Sequence, residues 1–178
     1  MDDNTLVEAT LAGNVEAFGT LVHKYQHLLV ASARHLTRNA EDAEDLAQEA
    51  LVEAYRHLRS LEDRAKFRAW LFAILRHKCL TYLKQRKPEP VSLDDVADVL
   101  PSPPLDLGVD LAELLDGLPL AYREILAARY LQELSYEEMA MAFGASVNTV
   151  RVRCCRARER LRELFAARGR RVEGGISC

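Results

Sequence analysis

The stretch Leu134–Leu164, LSYEEMAMAFGASVNTVRVRCCRARERLREL, reads as two short helices joined by a tight turn, the second one rich in arginine. Ser135 is a helix cap, and Glu138 three residues on can bond back to it, which completes a capping box. Gly144 supplies the turn, and Ser146 caps the second helix. On a helical wheel Val150, Cys154, Ala157, Leu161 and Leu164 form one apolar stripe. The opposite face carries Asn148, Val152, Cys155 and Arg156, with Thr149 and Arg151 beside it. Arg158 and Arg162 flank the stripe on one side, Arg153 and Arg160 on the other. A helix held down by one stripe, showing short polar side chains and arginine opposite, suits a DNA major groove. Central residues would reach base edges and flanking arginines phosphates; Arg151 and Arg156 are the candidates for base contacts. A solvated helix whose arginines pair with Glu159 and Glu163 is the plainer reading. The capping box, glycine turn and stripe occur together at helix-turn-helix spacing, which favours the DNA-binding one.

Working outward, the net charge of −3 conceals strong segregation. Residues 1–55 carry ten acids against three bases, and residues 56–87 ten bases against two acids. Residues 88–143 return to twelve acids against two bases, and residues 144–171 to nine bases against two acids. Two basic blocks set between acidic ones imply two places that touch nucleic acid and two that do not.

The composition is helical nearly throughout, with abundant Ala, Leu, Glu and Arg and no sustained period-two run. A short helix starts at Asp3 or Asn4 and ends near Gly13. Asn14 caps a longer one through His35, with Leu21, Tyr25, Leu28 and Leu29 buried. Asn39 caps a third, running to about Leu58, with Asp42 at its third position. A basic loop, Arg59–Arg64, leads into a fourth from about Ala65 to Arg86. Leu111–Leu118 and Pro119–Leu131 are two further helices ahead of the helix-turn-helix, Pro119 sitting where a first helical turn accepts proline. The chain is therefore expected to be all-α: one helical domain over 1–86, a Pro-rich acidic linker over 87–109, a second domain over 110–168, and a frayed tail over 169–178.

Two helices of the first domain have informative wheels. In Asn39–Leu58, Ala43, Ala47, Ala50, Ala54 and Leu58 turn inward, and Glu41, Asp45, Gln48, Glu49 and Val52 crowd the other side. Asp45 and Glu49 stand four apart, a like-charge spacing that costs about 0.2–0.5 kcal/mol. That is tolerated by chance or because a basic partner docks there. In Ala65–Arg86, Phe67, Trp70, Leu71, Ile74 and Leu75 are expected to be buried, with Arg76, Lys84 and Lys87 outward and Arg68 to one side. That basic face could follow a phosphate backbone, with the Ser60–Lys66 loop within reach of exposed bases.

Several classes find no support. No apolar run approaches the roughly 20 residues of a membrane span, and no signal-peptide pattern opens the chain, so the cytoplasm is expected. The four cysteines form no C-x-x-C pair, so reduced thiols are the default. His23 and His27 have metal-compatible spacing but nothing nearby to complete a site. There is no Gly-rich phosphate loop, no Ser/His/Asp set and no pair of catalytic acids. Neither an enzyme active site, a metal nor a cofactor is expected.

These residues resemble a family. DAEDLAQEALVEAYRHL at 42–58 and FRAWLFAILRHKCLTYLKQRK at 67–87 look like region 2 of the bacterial RNA polymerase sigma factors. LDGLPLAYREILAARYLQELSYEEMAMAFGASVNTVRVRCCRARERL at 115–161 looks like their region 4. Two regions and a short linker resemble most the extracytoplasmic-function group of the sigma-70 family, over about residues 14–165. The resemblance implies a non-catalytic factor that binds core RNA polymerase, selects promoters and helps open the DNA. Glu41, Asp45, Gln48 and Glu49 would then meet the clamp helices of the polymerase β′ subunit. Ser60, Lys66, Arg68, Arg76 and Lys84 would hold the melted −10 element. Asn148, Thr149, Arg151, Val152, Cys155 and Arg156 would read the −35 element, Val152 and Cys155 through thymine methyls and DNA shape. The acidic linker would lie near the active site and RNA exit, and apolar surface on 111–131 would meet the β flap. Relatives are commonly held inactive by an anti-sigma factor. His77 and Thr81 depart from the family, standing where many relatives carry Asn and Asp in R-N-x-x-x-D. A stand-alone transcription factor, with 1–86 as a dimerisation or sensing domain, leaves the second basic block unexplained. A helical adaptor without DNA binding leaves both blocks unexplained.

Overall fold

Side-chain caps set where the helices begin. The computed structural model describes residues 2–86, 115 and 117–167, and every regular element among them is helical. Asp2 accepts a 2.8 Å bond from the Thr5 N–H and opens α1 (Asp3–Leu11). Asn14 accepts from the Glu16 and Ala17 N–H groups and opens α2 (Val15–Thr37). Asn39 does the same for Glu41 and Asp42 at the start of α3 (Ala40–His57). Each satisfies N–H groups that the first helical turn leaves without partners. α2 stops where Arg38 turns left-handed at φ 56°. Short 3₁₀ turns at Leu58–Ser60 and Arg64–Lys66 lead into α4 (Phe67–Arg86).

The second half starts from Pro119, which is the cap residue of α5 (Leu120–Leu126) rather than a member of its first turn. α5 widens into a π-helical turn at Ala127–Leu131, then come α6 (Tyr136–Phe143) and α7 (Val147–Ala167). The expected linker at 87–109, the tail from 168 and most of the helix expected over 111–118 lie outside the described residues.

Packing centres on α2, which meets α1, α3 and α4 and, from the second half, α5 and the turn after it. The α3 face turned inward is a seam of alanines, Ala43, Ala47, Ala50 and Ala54, all buried and closed by Leu58. Such small side chains let two helix backbones approach closely. Leu21, Tyr25, Leu29 and Leu36 of α2 and Phe67, Leu71, Phe72 and Leu75 of α4 complete this core. Three expectations are corrected. Leu28 is exposed, and Trp70 and Ile74 are half-buried, because α2 and α4 each bury a narrower arc there than their apolar spacing allows. Around α5–α7 the core is Leu118, Ile125, Leu126, Leu134, Met139, Val150, Cys154, Ala157 and Leu161. Both sets join one hydrophobic cluster, and Phe72 meets Phe143 across the junction with ring centroids 6.3 Å apart.

Because the alanine seam leaves no room, Ala47→Leu should destabilise the protein by about 1–3 kcal/mol. Glu44→Leu on the exposed side of the same helix should stay within about 0.5 kcal/mol of wild type. Thermal melts of the two variants followed by circular dichroism check the contrast.

Candidate nucleic-acid interface

The helix-turn-helix is built as its sequence requires. The Glu138 N–H donates to Ser135 Oγ at 3.1 Å, and the Ser135 N–H donates to Glu138 Oε2 at 2.7 Å, so the capping box is closed. Gly144 ends α6 at φ 60°, ψ 38°. A Cβ there would meet nothing within 4 Å, so backbone conformation rather than space calls for glycine. Ser146 Oγ accepts from the Thr149 N–H at 3.1 Å and caps α7. The stripe of Val150, Cys154, Ala157 and Leu161 is buried.

The opposite face differs from its wheel. Asn148 and Arg151 are exposed, and Thr149 and Arg156 are half-buried. Val152 and Cys155 are 3% and 5% exposed, and the flanking Arg158 is buried too. A wheel assumes a helix packed on one side; in the folded chain α7 is enclosed over a wider arc. The Arg151 guanidinium lies 5.3 Å from the centroid of Tyr136, whose ring also carries Arg129 at 4.9 Å. Tyr136 gives Arg151 a fixed support that its position in the sequence did not signal.

On the first half, Glu41, Asp45, Gln48 and Glu49 are all exposed along α3, with Val52 among them. A groove of about 540 Å³ runs beside Asp45, Glu49 and Glu53 and is closed on the α4 side by Lys78. Lys78 Nζ lies 2.7 Å from Glu53 and 3.4 Å from Glu49. The bond from Lys78 holds the Glu53 carboxyl below its ordinary range, and Glu53 in turn raises Lys78. Within a run of basic residues nothing marked Lys78 as the one facing the acids.

The five basic-face candidates divide. Ser60, Lys66 and Lys84 are exposed, Lys66 in a 3.1 Å pair with Asp63. Arg68 and Arg76 instead face the second half. Arg76, expected to point outward, holds Glu124 with Nε–Oε2 at 2.9 Å and Nη2–Oε1 at 3.1 Å. Arg68 Nη2 donates to the Glu133 carbonyl at 3.1 Å and lies 3.5 Å from Glu138. Burial pushes Glu124 above the usual carboxylate range, against the pull of Arg76 and Arg153. His77 and Thr81 are exposed on α4.

Residues 21–89 match Sigma-70 region 2, and residues 109–161 match Sigma-70, region 4. The chain is 32% identical over 165 residues to the ECF RNA polymerase sigma factor SigM of Mycobacterium tuberculosis H37Rv, covering 92% of this chain and 84% of that protein. The chain is an extracytoplasmic-function (ECF) sigma factor. It directs RNA polymerase in transcription initiation, without catalysis of its own, and α6–α7 are the DNA-binding helix-turn-helix of region 4. The ECF sigma-E factor of Escherichia coli K12 is similar at 31% identity, covering 89% of this sigma factor and 92% of its own length. Among solved structures, CnrH in complex with the cytosolic domain of CnrY is similar with a TM-score of 0.69 and 27% identity, covering 93% and 97% of the two chains. The sigma factor RpoE bound to the anti-sigma factor NepR from Bartonella quintana has a TM-score of 0.65 and 31% identity, covering 84% and 96%.

Among the described residues of this sigma factor, no group of three His, Cys, Asp or Glu side chains is placed to hold a metal ion. No helix among them is long and apolar enough to cross a membrane. Burial pushes the Cys79 and Cys154 thiols up to about 12. Since the thiolate is the nucleophile, both should resist iodoacetamide at pH 8 in the folded protein and react once guanidinium unfolds it. Peptide mapping after a timed pulse reads this, and rapid native labelling of either residue would contradict it.

Proposed function

We propose that the acidic face of α3 docks on the clamp helices of the polymerase β′ subunit, while the basic surface of 60–84 holds the −10 strand and α7 reads the −35 element. The observation carrying this reading is the segregation of charge on one helical unit. Glu41, Asp45, Gln48 and Glu49 lie open on α3, and Ser60, Lys66 and Lys84 lie open beyond it. An acidic surface of this kind suits a basic protein partner and repels DNA; the basic surface does the reverse. At region 4, Asn148 and Arg151 are the most open of the candidate −35 residues and Thr149 and Arg156 are half-buried, so these four carry the proposed readout; Val152 and Cys155, expected beside them, are buried. The linker at 87–109 would follow the path between the two sites near the RNA exit, and the helices of 111–131 would meet the β flap. Control by an anti-sigma factor is part of the same proposal, motivated by the RpoE relative being bound to one. This sigma factor would act in the cytoplasm, where RNA polymerase works.

The direct test is co-elution with core RNA polymerase followed by run-off transcription on a pool of genomic promoters. A stable complex that initiates where core alone does not is the expected result. Asp45→Arg and Glu49→Arg should each abolish co-elution, and unchanged binding of both would sink the docking assignment. Arg156→Ala should weaken binding of holoenzyme to its promoter by about 1–3 kcal/mol and relax specificity at one base pair. Equal weakening on unrelated DNA would instead make Arg156 a phosphate contact.

A further inference from the structure

Asp45, Glu49 and Glu53 follow one another at four-residue spacing on α3, which sets three carboxylates in a row about 6 Å apart. Like charges at that spacing repel, and long acidic side chains relieve the repulsion by swinging out into water. The row lines the groove of about 540 Å³, and among the described residues Lys78 is the one α4 side chain that lines it too. Lys78 is only 18% exposed at its side chain, against 62% for Glu49 and 41% for Glu53. With its stem so enclosed, the ammonium has little room to wander. Nζ meets Glu53 Oε2 at 2.7 Å and Glu49 Oε2 at 3.4 Å. The closer bond is the main cause holding the Glu53 carboxyl below its ordinary range. The longer one takes up an oxygen of Glu49 while most of that side chain stays open to solvent.

We propose that Lys78 is a positioning residue for polymerase docking: it draws Glu53 into an internal pair and tethers Glu49 with its carboxylate presented to a basic partner. This inference rests on the docking of α3 on the polymerase proposed above. Ordering a long side chain as an interface forms weakens binding by a factor of about two to twelve, and a side chain already held escapes most of that loss. An ammonium at this place also repels a basic partner. At about 7 Å from the partner's cation, across the carboxylate, that repulsion weakens binding by less than about twofold in physiological salt. Preorganisation therefore outweighs repulsion. Charge counting alone gives the opposite sign, since removing Lys78 makes the docking face more acidic.

The test follows association and dissociation of core RNA polymerase on immobilised full-length protein by biolayer interferometry. Wild type is compared with Lys78→Met, Lys78→Arg, Glu49→Gln and the Lys78→Met/Glu49→Gln double variant. Lys78→Met keeps the stem without the charge and should bind core about five- to tenfold more weakly, the loss lying in faster dissociation. Its association should be as fast as wild type or faster, because the face is one charge more negative. Lys78→Arg, which can reach both carboxylates, should bind like wild type. In the Glu49→Gln background the change at Lys78 should weaken binding little further, because its effect passes through Glu49. Unchanged or tighter binding by Lys78→Met would overturn the positioning role. A loss that adds in full to that of Glu49→Gln would overturn it as well, and full addition is also what a general loss of folding produces. Wild-type binding by both Glu49→Gln and Asp45→Arg would instead remove the docking surface itself, and the role of Lys78 with it.

Discussion

A charge taken out of water must find a partner, and in this fold Arg76 finds Glu124 from the other half of the chain. Around that pair the junction assembles: Phe72 against Phe143, Gln132 against Ser32, Arg123 against the end of α2. Removing either member of a buried pair strands the other charge, which makes the junction cooperative rather than a set of independent contacts. The raised carboxyl of Glu124 shows burial prevailing over the attraction of its arginine partners. A contact held so is a positional lock more than a source of net stability.

The remaining electrostatics follow from keeping unlike tasks apart. Acids gather on the open side of α3 because the alanine seam opposite leaves that side to solvent. Bases gather at the 3₁₀ turns and along α4, one short segment away. Lys78 is the exception that joins them, reaching from α4 to Glu53 and Glu49 and giving the acidic groove its far wall. In region 4, Tyr136 performs a comparable service for Arg151. Both supporting residues sit beside the candidate site residues rather than among them.

Local chemistry was legible wherever it is carried by neighbours in the chain. The caps Asn14, Asn39, Ser135 and Ser146, the capping box to Glu138 and the left-handed Gly144 all concern residues within four positions of one another. The alanine side of α3 was equally readable, since a period of 3.6 with small residues admits one inward face. Departures arise where a second element intervenes. Leu28 has the right spacing for burial but stays exposed, and Arg76 lies on a face read as basic and open but meets Glu124, 48 residues away.

An all-helical chain, the caps at Asn14, Asn39, Ser135 and Ser146, the helix-turn-helix, the segregation of charge and the resemblance to sigma regions 2 and 4 can all be read along the chain. These depend on propensity, periodicity and short-range hydrogen bonds, which the chain carries locally. That the two regions share one hydrophobic cluster, that Arg68 and Arg76 are held by region 4, and that Val152 and Cys155 are buried on α7 emerges with the packing of the helices. Periodicity tells which side of a helix is apolar, but a long-range ion pair depends on which surfaces meet, and that is settled by the packing of elements far apart in the chain.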